Sequence, residues 1–413
     1  MSPRLIPPNT LRFTVVLGLL AALPSLSIDI NAPTLLAVQE QLLAPAGIIG
    51  LTITLFMVGF AFGQFGAGPL SDRYGRRPVL LVGLAGYTVA AIGCALSGSS
   101  FQLVSWRLVQ GVAAGACAVL AFAMIRDLFE GDAARSKRAY VTVVFGLAPM
   151  LAPSLGAIVL EWAGWRPVYV ILSLGGLALL MAVALGVAES RVAQTTWLKR
   201  PVRSAYGRVL SDRRFIGLAA VNALSFGGMF AYIAGSPMVL MGHGGVTPSA
   251  YGAIFACTAA SLTAGAWTSG RCASAGMGSR RLLWLSLTMA AASAVALMLL
   301  LAINVGSLLM VVPLLLVNLF CRGVVAPNAQ HLALEPIAEQ AGTAAAAVGV
   351  MQILTGALAS AAVAALLPWF GPFGMTVVMA TLSLASLGLW IWISMTPEPV
   401  STGRPVAVAE PVV

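Results

Sequence analysis

Apolar residues run through this chain in long unbroken stretches, each closed by a short connection rich in Gly, Pro or Arg. Twelve such stretches fall near 12–36, 47–70, 78–97, 101–125, 139–161, 165–188, 215–240, 249–269, 282–302, 307–329, 342–367 and 372–395. A helix of about 20 apolar residues crosses the roughly 30 Å of a bilayer's hydrocarbon core. The pattern therefore predicts twelve transmembrane helices, joined by turns as short as the one between residues 303 and 306. The other structure able to span a membrane, a closed β-barrel, requires short segments of alternating polarity, and the continuous runs exclude it.

Composition adds the solvent. Of 413 residues, 59% are hydrophobic and only 9% charged, with a mean hydropathy of +0.95; soluble domains carry about 25% charged residues. The first apolar run follows Arg4 and Arg12 but is too long for a signal-peptide core and contains Asp29, so it is expected to persist as the first span. Charge supplies orientation. Arg73, Arg76, Arg77, Arg126, Arg135, Lys137, Arg138, the group from Arg191 to Arg214, and Arg271, Arg280 and Arg281 all fall in or beside alternate connections, while the opposite connections offer little beyond Arg166. The positive-inside bias then places both termini and the long connection 189–214 in the cytoplasm. The net charge of +10 is a topology signal distributed over short loops, so no nucleic-acid partner is expected. Cys94, Cys117, Cys257 and Cys321 fall inside spans and Cys272 in a connection, with no pairing or His spacing that suggests a disulfide framework or a metal.

The basic connection divides the chain into an N-terminal bundle of six spans (1–188), a central loop (189–214), a C-terminal bundle of six spans (215–395) and a polar tail (396–413) that reads as disordered. The connection after span two, GPLSDRYGRR, and that after span eight, SGRCASAGMGSRR, both carry glycines and end in a double Arg, a faint internal repeat.

The first of these concentrates charge where the chain otherwise avoids it. Gly68, Asp72, Arg73, Gly75, Arg76 and Arg77 resemble the G-x-x-x-D-R-x-G-R-R loop of the major facilitator superfamily, at the expected place between spans two and three. SIDINAP in span one, RLVQGVAAG in span four, APMLAPSLG in span five, GSPMVL ending span seven and AGTAAAAVG opening span eleven are similar to its drug:proton antiporter branch, in particular the Bcr/CflA (bicyclomycin-resistance and chloramphenicol-efflux) subfamily. Ala152 before Pro153 departs from the Gly-Pro of the wider antiporter pattern. The resemblance implies an all-α membrane protein, two pseudo-symmetric bundles of six helices, lying in a bacterial inner membrane. It also implies that the Asp72 loop latches the cytoplasmic side; a plain topology anchor is the simpler reading, but it does not call for Asp72. By its place after span four, in AMIRDLF, Asp127 is a candidate partner for Arg73.

Within the spans, Asp29 is the foremost candidate. An ionisable group deep in a membrane is expensive and commonly marks an ion or proton path, and a carboxyl in low dielectric is a candidate for protonation at ordinary pH. Pro24 and Pro33 loosen its helix. Arg107, which the resemblance implicates in proton coupling, lies in the outer third of span four, within snorkelling reach of the surface. Gly111 and Gly115 after it are spaced for close helix packing. Arg322, near the cytoplasmic side of span ten, reads as a snorkelling or structural residue. Gly146, Pro149, Pro153 and Gly156 predict a kinked span five, either a pivot or a packing bend. Asn31, Gln110, Asn222, Phe226 and Tyr232 are the candidate lining of a substrate pocket, with core packing the alternative for the two aromatics. Trp162, Trp165 and Trp369 read as interfacial belt residues.

Only two lysines occur, neither preceded by Gly, so no phosphate-binding P-loop is present and ATP hydrolysis is excluded as the energy source. The expectation is a non-enzymatic secondary transporter, without cofactor or metal, acting as a monomer on protons and a small amphipathic compound. An uptake symporter or facilitator is the first alternative. A polytopic enzyme or sensor is the remote one, since neither a soluble domain nor a catalytic cluster is present.

Overall fold

The computed structural model describes residues 6–190, 210–303, 307–335 and 341–395. Most of the central loop and the whole tail 396–413 lie outside the described residues. The first span is two helices, α1 (Leu11–Asp29) and α2 (Leu35–Gln41), joined through a 3-10 turn at Ala32–Thr34. The N-terminal half continues with α3 (Ala46–Tyr74), α4 (Arg76–Ala95), α5 (Ser100–Leu128), α6 (Gly131–Ala163) and α7 (Arg166–Gly186). The C-terminal half comprises α8 (Arg213–Pro237) with a short π-helical turn, α9 (Pro248–Ser274), α10 (Ser279–Ala302), α11 (Leu308–Leu334), α12 (Ala341–Phe370) and α13 (Phe373–Met395).

Helix starts follow capping chemistry. The side chains of Thr10, Ser99, Thr247 and Asp212 accept hydrogen bonds from first-turn amides. Among the described residues, eleven helical stretches are long and apolar enough to cross a membrane. The remaining helix, α9, is diluted by Ala, Gly, Ser and Thr, yet its 27 residues reach about 40 Å. All twelve expected spans are therefore helices, and the fold is the all-α, twelve-span architecture.

Pairing within each half repeats. In the first, α3 packs on α5, α4 on α5 and α7, and α1 on α6 and α5; in the second, α9 packs on α11, α10 on α11 and α13, and α8 on α12 and α11. The glycines show the same repetition at atomic scale. A Cβ on Gly63 or Gly115 would run into the carbonyl of Val112 or Phe60, and one on Gly265 or Gly323 into that of Phe320 or Leu262. In both halves the second glycine lies three residues past the carbonyl that its partner meets. The two helices thus approach backbone to backbone, as small residues allow in lipid.

The halves meet along α3–α12 and α6–α9. Their close contacts cluster toward the end of the molecule whose connections hold little arginine beyond Arg166. Gly47 and Gly50 abut Ala364, Thr54 Oγ1 donates to Ser360 Oγ at 3.1 Å, and Met57 reaches Gly356. On the other seam Gly252 lies against Ser154, and Ser249 N donates to Glu161 Oε1 at 3.0 Å.

Two expectations change. Gly68 to Tyr74 belong to α3 rather than to a loop, and the reversal into α4 is made by Gly75 alone, at φ 99° and ψ 155°, backbone essentially confined to glycine. Gly68 has open space around its Cα, so it is not a close-approach glycine. Trp165 is buried, its Nε1 donating to Gln41 Oε1 at 2.8 Å, whereas Trp162 and Trp369 are exposed as belt residues should be.

Candidate functional site

The site begins where the first span breaks. Pro33 has no amide hydrogen for the carbonyl of Asp29, and Asn31 N turns to the carbonyl of Ile28 at 3.3 Å, so the helical ladder lapses after Asp29. Side chains occupy the carbonyl of Ser27 instead. Asn31 Nδ2 donates to it at 2.8 Å, and a guanidinium nitrogen of Arg107, from α5, donates at 3.1 Å. The same nitrogen donates to Gln110 Oε1 at 2.8 Å, and the guanidinium lies 4.4 Å from the centre of the Phe56 ring. Tyr87 Oη and Ser27 Oγ are 2.6 Å apart. Ser27, Asn31, Tyr87, Arg107 and Gln110 thus form one buried polar cluster inside the N-terminal half.

Arg107 is 1% exposed, which rules out snorkelling. The enclosure comes from Gly59 and Gly111, which bring α3 and α5 into backbone contact around it. Asn31 Oδ1, Arg107 Nε and Gln110 Nε2 are buried with no partner among the described residues; such atoms are costly, and they are concentrated here.

Asp29 is 4% exposed and two residues from Ser27, on the opposite side of α1. Among the described residues its carboxylate has no hydrogen-bond donor and no cation within 4 Å. Its electrostatic neighbours are the hydroxyls of Tyr232 and Tyr251, in the other half, reached because the 3-10 turn after Asp29 packs on α8 and α9. Asp29 thus lies beside the seam between halves, while Arg107 faces its own bundle.

The candidate pocket divides. Tyr232 is core: its hydroxyl lies 2.9 Å from Thr258 Oγ1 and its ring is stacked on Phe255. Phe226 is half-buried, packs on Phe230 at 4.9 Å between centroids, and meets Gly356 at the seam beside Met57. Asn222 Oδ1 accepts from Gln352 Nε2 at 3.3 Å, while its Nδ2 has no partner among the described residues. Asn31 and Gln110 belong to the Arg107 cluster.

In α6, Pro149 and Pro153 lie within a single helix. Gly156 is required, because a Cβ there would strike the carbonyl of Ile30 just past Asp29, whereas Gly146 has open space. This motif therefore seats α6 against the break in span one.

At the arginine-rich end, the partner of Asp127 is Arg76, not Arg73. Arg76 Nε donates to Asp127 Oδ2 at 2.8 Å, and a terminal nitrogen meets Asp72 Oδ1 at 2.6 Å and Ser71 Oγ at 2.5 Å. Arg73 lies over the Tyr74 ring. Asp72 itself remains 65% exposed. Arg77 donates to the carbonyl of Ala184 at 2.6 Å. The anion at the N-terminus of α4 is Glu189, which nothing in the sequence separates from the other central-loop residues. Its carboxylate accepts from the amides of Arg76 and Arg77 at 2.9 and 3.1 Å, where a helix favours negative charge. Tyr87, Tyr251 and Phe56 carry no sequence signal either, since each reads as an ordinary aromatic residue of a span.

Arg322 is buried rather than snorkelling. Its Nε donates to Asn318 Oδ1 at 2.8 Å, and its terminal nitrogens donate to the carbonyl of Ser225 at 2.5 Å and Ser383 Oγ at 3.0 Å. Each half therefore contains the same device, an arginine on its fourth span docked on a serine carbonyl of its first.

Comparison with known proteins agrees with this architecture. A bacterial homologue of the human lysosomal transporter Spinster, in an inward-facing occupied conformation, superposes with a TM-score of 0.79 at 14% identity over 95% of this chain and 98% of that one. A D-xylose-proton symporter gives 0.74 at 17% identity, over 92% and 96%. An uncharacterized MFS-type transporter, YdgK, from Bacillus subtilis is 30% identical across 85% of this chain and 88% of its own length. A bicyclomycin resistance protein homolog from Haemophilus influenzae is 27% identical across 91% and 96%. A chloramphenicol resistance protein from Pseudomonas aeruginosa is 32% identical across 58% and 57%. With residues 17–360 matching the family model, the chain belongs to the Major Facilitator Superfamily.

Proposed function

We propose that this protein is a secondary active exporter that moves a small amphipathic compound or drug out of the cell in exchange for protons, by alternating access between its two bundles. The observation that carries the reading is Asp29: a buried carboxyl without a partner, at a helix break, beside the seam along which the halves must separate. Relatives named for bicyclomycin and chloramphenicol resistance support export of such compounds. Asp29 is the proton site, Arg107 tunes it from behind, and Phe226 with Asn222 lies beside the substrate path. The arginine-rich end is cytoplasmic, in a bacterial inner membrane, with both termini on that side and the monomer as the working unit. On this orientation the structure is closed outside, and Asp72, held by Arg76 but otherwise exposed, is ready to engage the other half when the cytoplasmic side closes.

The test uses everted vesicles with an acid interior, a phenicol probe, and the native chain beside Asp29→Asn. Probe accumulation with matching proton release in the native chain, both lost in the variant, is expected. Accumulation without proton movement, equal in both, would replace the exchanger with a facilitator.

A further inference from the structure

The charges inside the membrane-spanning part form a short inventory. Among the described residues three lie inside a span and away from both of its ends, the first span being taken as α1 and α2 together: Asp29, Arg107 and Arg322. Asp29 and Arg107 act on one short segment of α1, because Arg107 is bonded to the carbonyl of Ser27, two residues from Asp29. With Asp29 ionised their sum is zero; with Asp29 protonated it is +1. Arg322 adds a further positive charge in both states, since a guanidinium does not give up its proton in a protein. Its partners, Asn318, Ser225 and Ser383, are all neutral, and among the described residues no carboxylate lies within 4 Å of it. Its place is not peripheral. The guanidinium is fixed to the carbonyl of Ser225, the residue before Phe226, and a Cβ on Gly228, one turn along, would collide with it. Phe226 in turn meets Gly356 and Met57 at the seam.

We propose that the translocation path discriminates by charge, accepting neutral and anionic amphipathic compounds and rejecting permanent cations, and that Arg322 is the residue that imposes the discrimination. This rests on the exporter reading and deepens it. At no stage of a proton cycle do the interior charges of the two bundles sum to a negative value: the total is +1 with Asp29 ionised and +2 with it protonated. A lone buried carboxylate would ordinarily suggest a cation site, but here it is offset by Arg107 and outweighed by Arg322. The permanent charge, not a direct contact, is what matters. Arg322 is 4% exposed and acts through its field. In general, a unit charge acting across about 10 Å in a medium of effective dielectric about 20 changes the occupancy of a monovalent cation on the order of tenfold.

The experiment compares a neutral phenicol with tetraphenylphosphonium in everted vesicles carrying the native chain, Arg322→Gln or Arg322→Lys. Native vesicles should export the phenicol, and excess tetraphenylphosphonium should not compete. Arg322→Gln should raise the ratio of cation to phenicol transport about tenfold, whereas Arg322→Lys, which keeps the charge, should retain the native ratio. A residue that only braced helices would lower both fluxes together and leave the ratio unmoved. Native export of the cation at the phenicol's rate would overturn the proposal, as would an unchanged ratio in Arg322→Gln. Should that variant fail to fold, competition in native vesicles decides alone. Should native vesicles export neither probe, the exporter reading fails separately, and charge selection is then read from equilibrium binding of both probes to the purified native chain: tighter phenicol binding upholds it, equal or tighter cation binding overturns it.

Discussion

The turn between α3 and α4 offers a quantitative test of how the arginine-rich end is held. Gly75 adopts φ 99° and ψ 155°, and a Cβ there would lie 2.6 Å from Glu189 Oε2. Gly75→Ala therefore costs backbone strain of about 1–3 kcal/mol and also pushes Glu189 off the two amides it caps. Losing that cap costs about 1 kcal/mol, the value expected for Glu189→Ala by itself. The double variant suffers the strain and the lost cap, but the collision no longer exists. It should be only marginally less stable than Gly75→Ala, so that the two single effects exceed the double by about 1 kcal/mol. Unfolding by SDS titration in mixed micelles, monitored by tryptophan fluorescence, would supply the four stabilities of the cycle. Strict additivity would refute the reasoning, because two residues whose effects simply sum do not share the contact that the geometry assigns to them.

Side-chain geometry sets two more expected outcomes. Arg76→Lys preserves charge but cannot hold Asp127, Asp72 and Ser71 together through a planar fork; Asp127, largely buried, loses most, while the exposed Asp72 limb contributes less than about 1 kcal/mol. Export should fall sharply in this variant and recover in part in Arg76→Lys with Asp127→Asn, measured as phenicol flux in vesicles; no recovery would remove Asp127 from the account. At the opposite end, Thr54→Cys with Ser360→Cys, in a background freed of native cysteines, should form a disulfide that stops transport and is reversed by reductant. A disulfide that leaves flux intact would show that this seam does not need to open.

The features legible in the sequence are local ones. Run length sets the twelve helices, alternate arginines separate the two ends, and a spaced glycine motif marks the α3–α4 junction. The hidden features are nonlocal. Arg73 and Arg76 are both plausible partners for Asp127 by spacing; the choice falls to Arg76 because the reversal at Gly75 starts α4 there and turns that side chain back toward α5. Glu189 lies 113 residues from the amide of Arg76 that it caps, and no periodicity signals such a pairing. Burial of Arg107 and Arg322 escapes the sequence for a related reason. Their depth in a helix permits snorkelling when the helix is considered alone, and the glycines that enclose them lie partly on other helices. Trp165 likewise obeys the rule for interfacial tryptophans until Gln41, at the end of the first span, accepts its indole hydrogen.

Under the proposed function, the duplicated arginine device accounts for a proton site in the N-terminal half. In both halves an arginine on the fourth span fastens a serine carbonyl of the first, but the consequence differs with the course of the chain beyond that serine. After Ser225 the chain continues as α8 to Pro237, and Arg322 is docked on an intact helix. After Ser27 the helix ends within two residues, and Asp29 is left at its C-terminal end, where the last carbonyls carry partial negative charge. Arg107 fastens the carbonyl of Ser27 two residues before that end, so the course of the backbone at Asp29 depends on how closely α5 is held to α1. Gly156 of α6 sits on the carbonyl of Ile30 at the same break, and two residues earlier Ser154 meets Gly252 of the other half. Under the proposed function, any motion that opens the α6–α9 seam is transmitted to the backbone beside Asp29 through backbone contacts too close to absorb it. That linkage, a proton site at a helix break wedged against the moving interface, gives a physical route by which substrate-driven closure and proton release constrain one another.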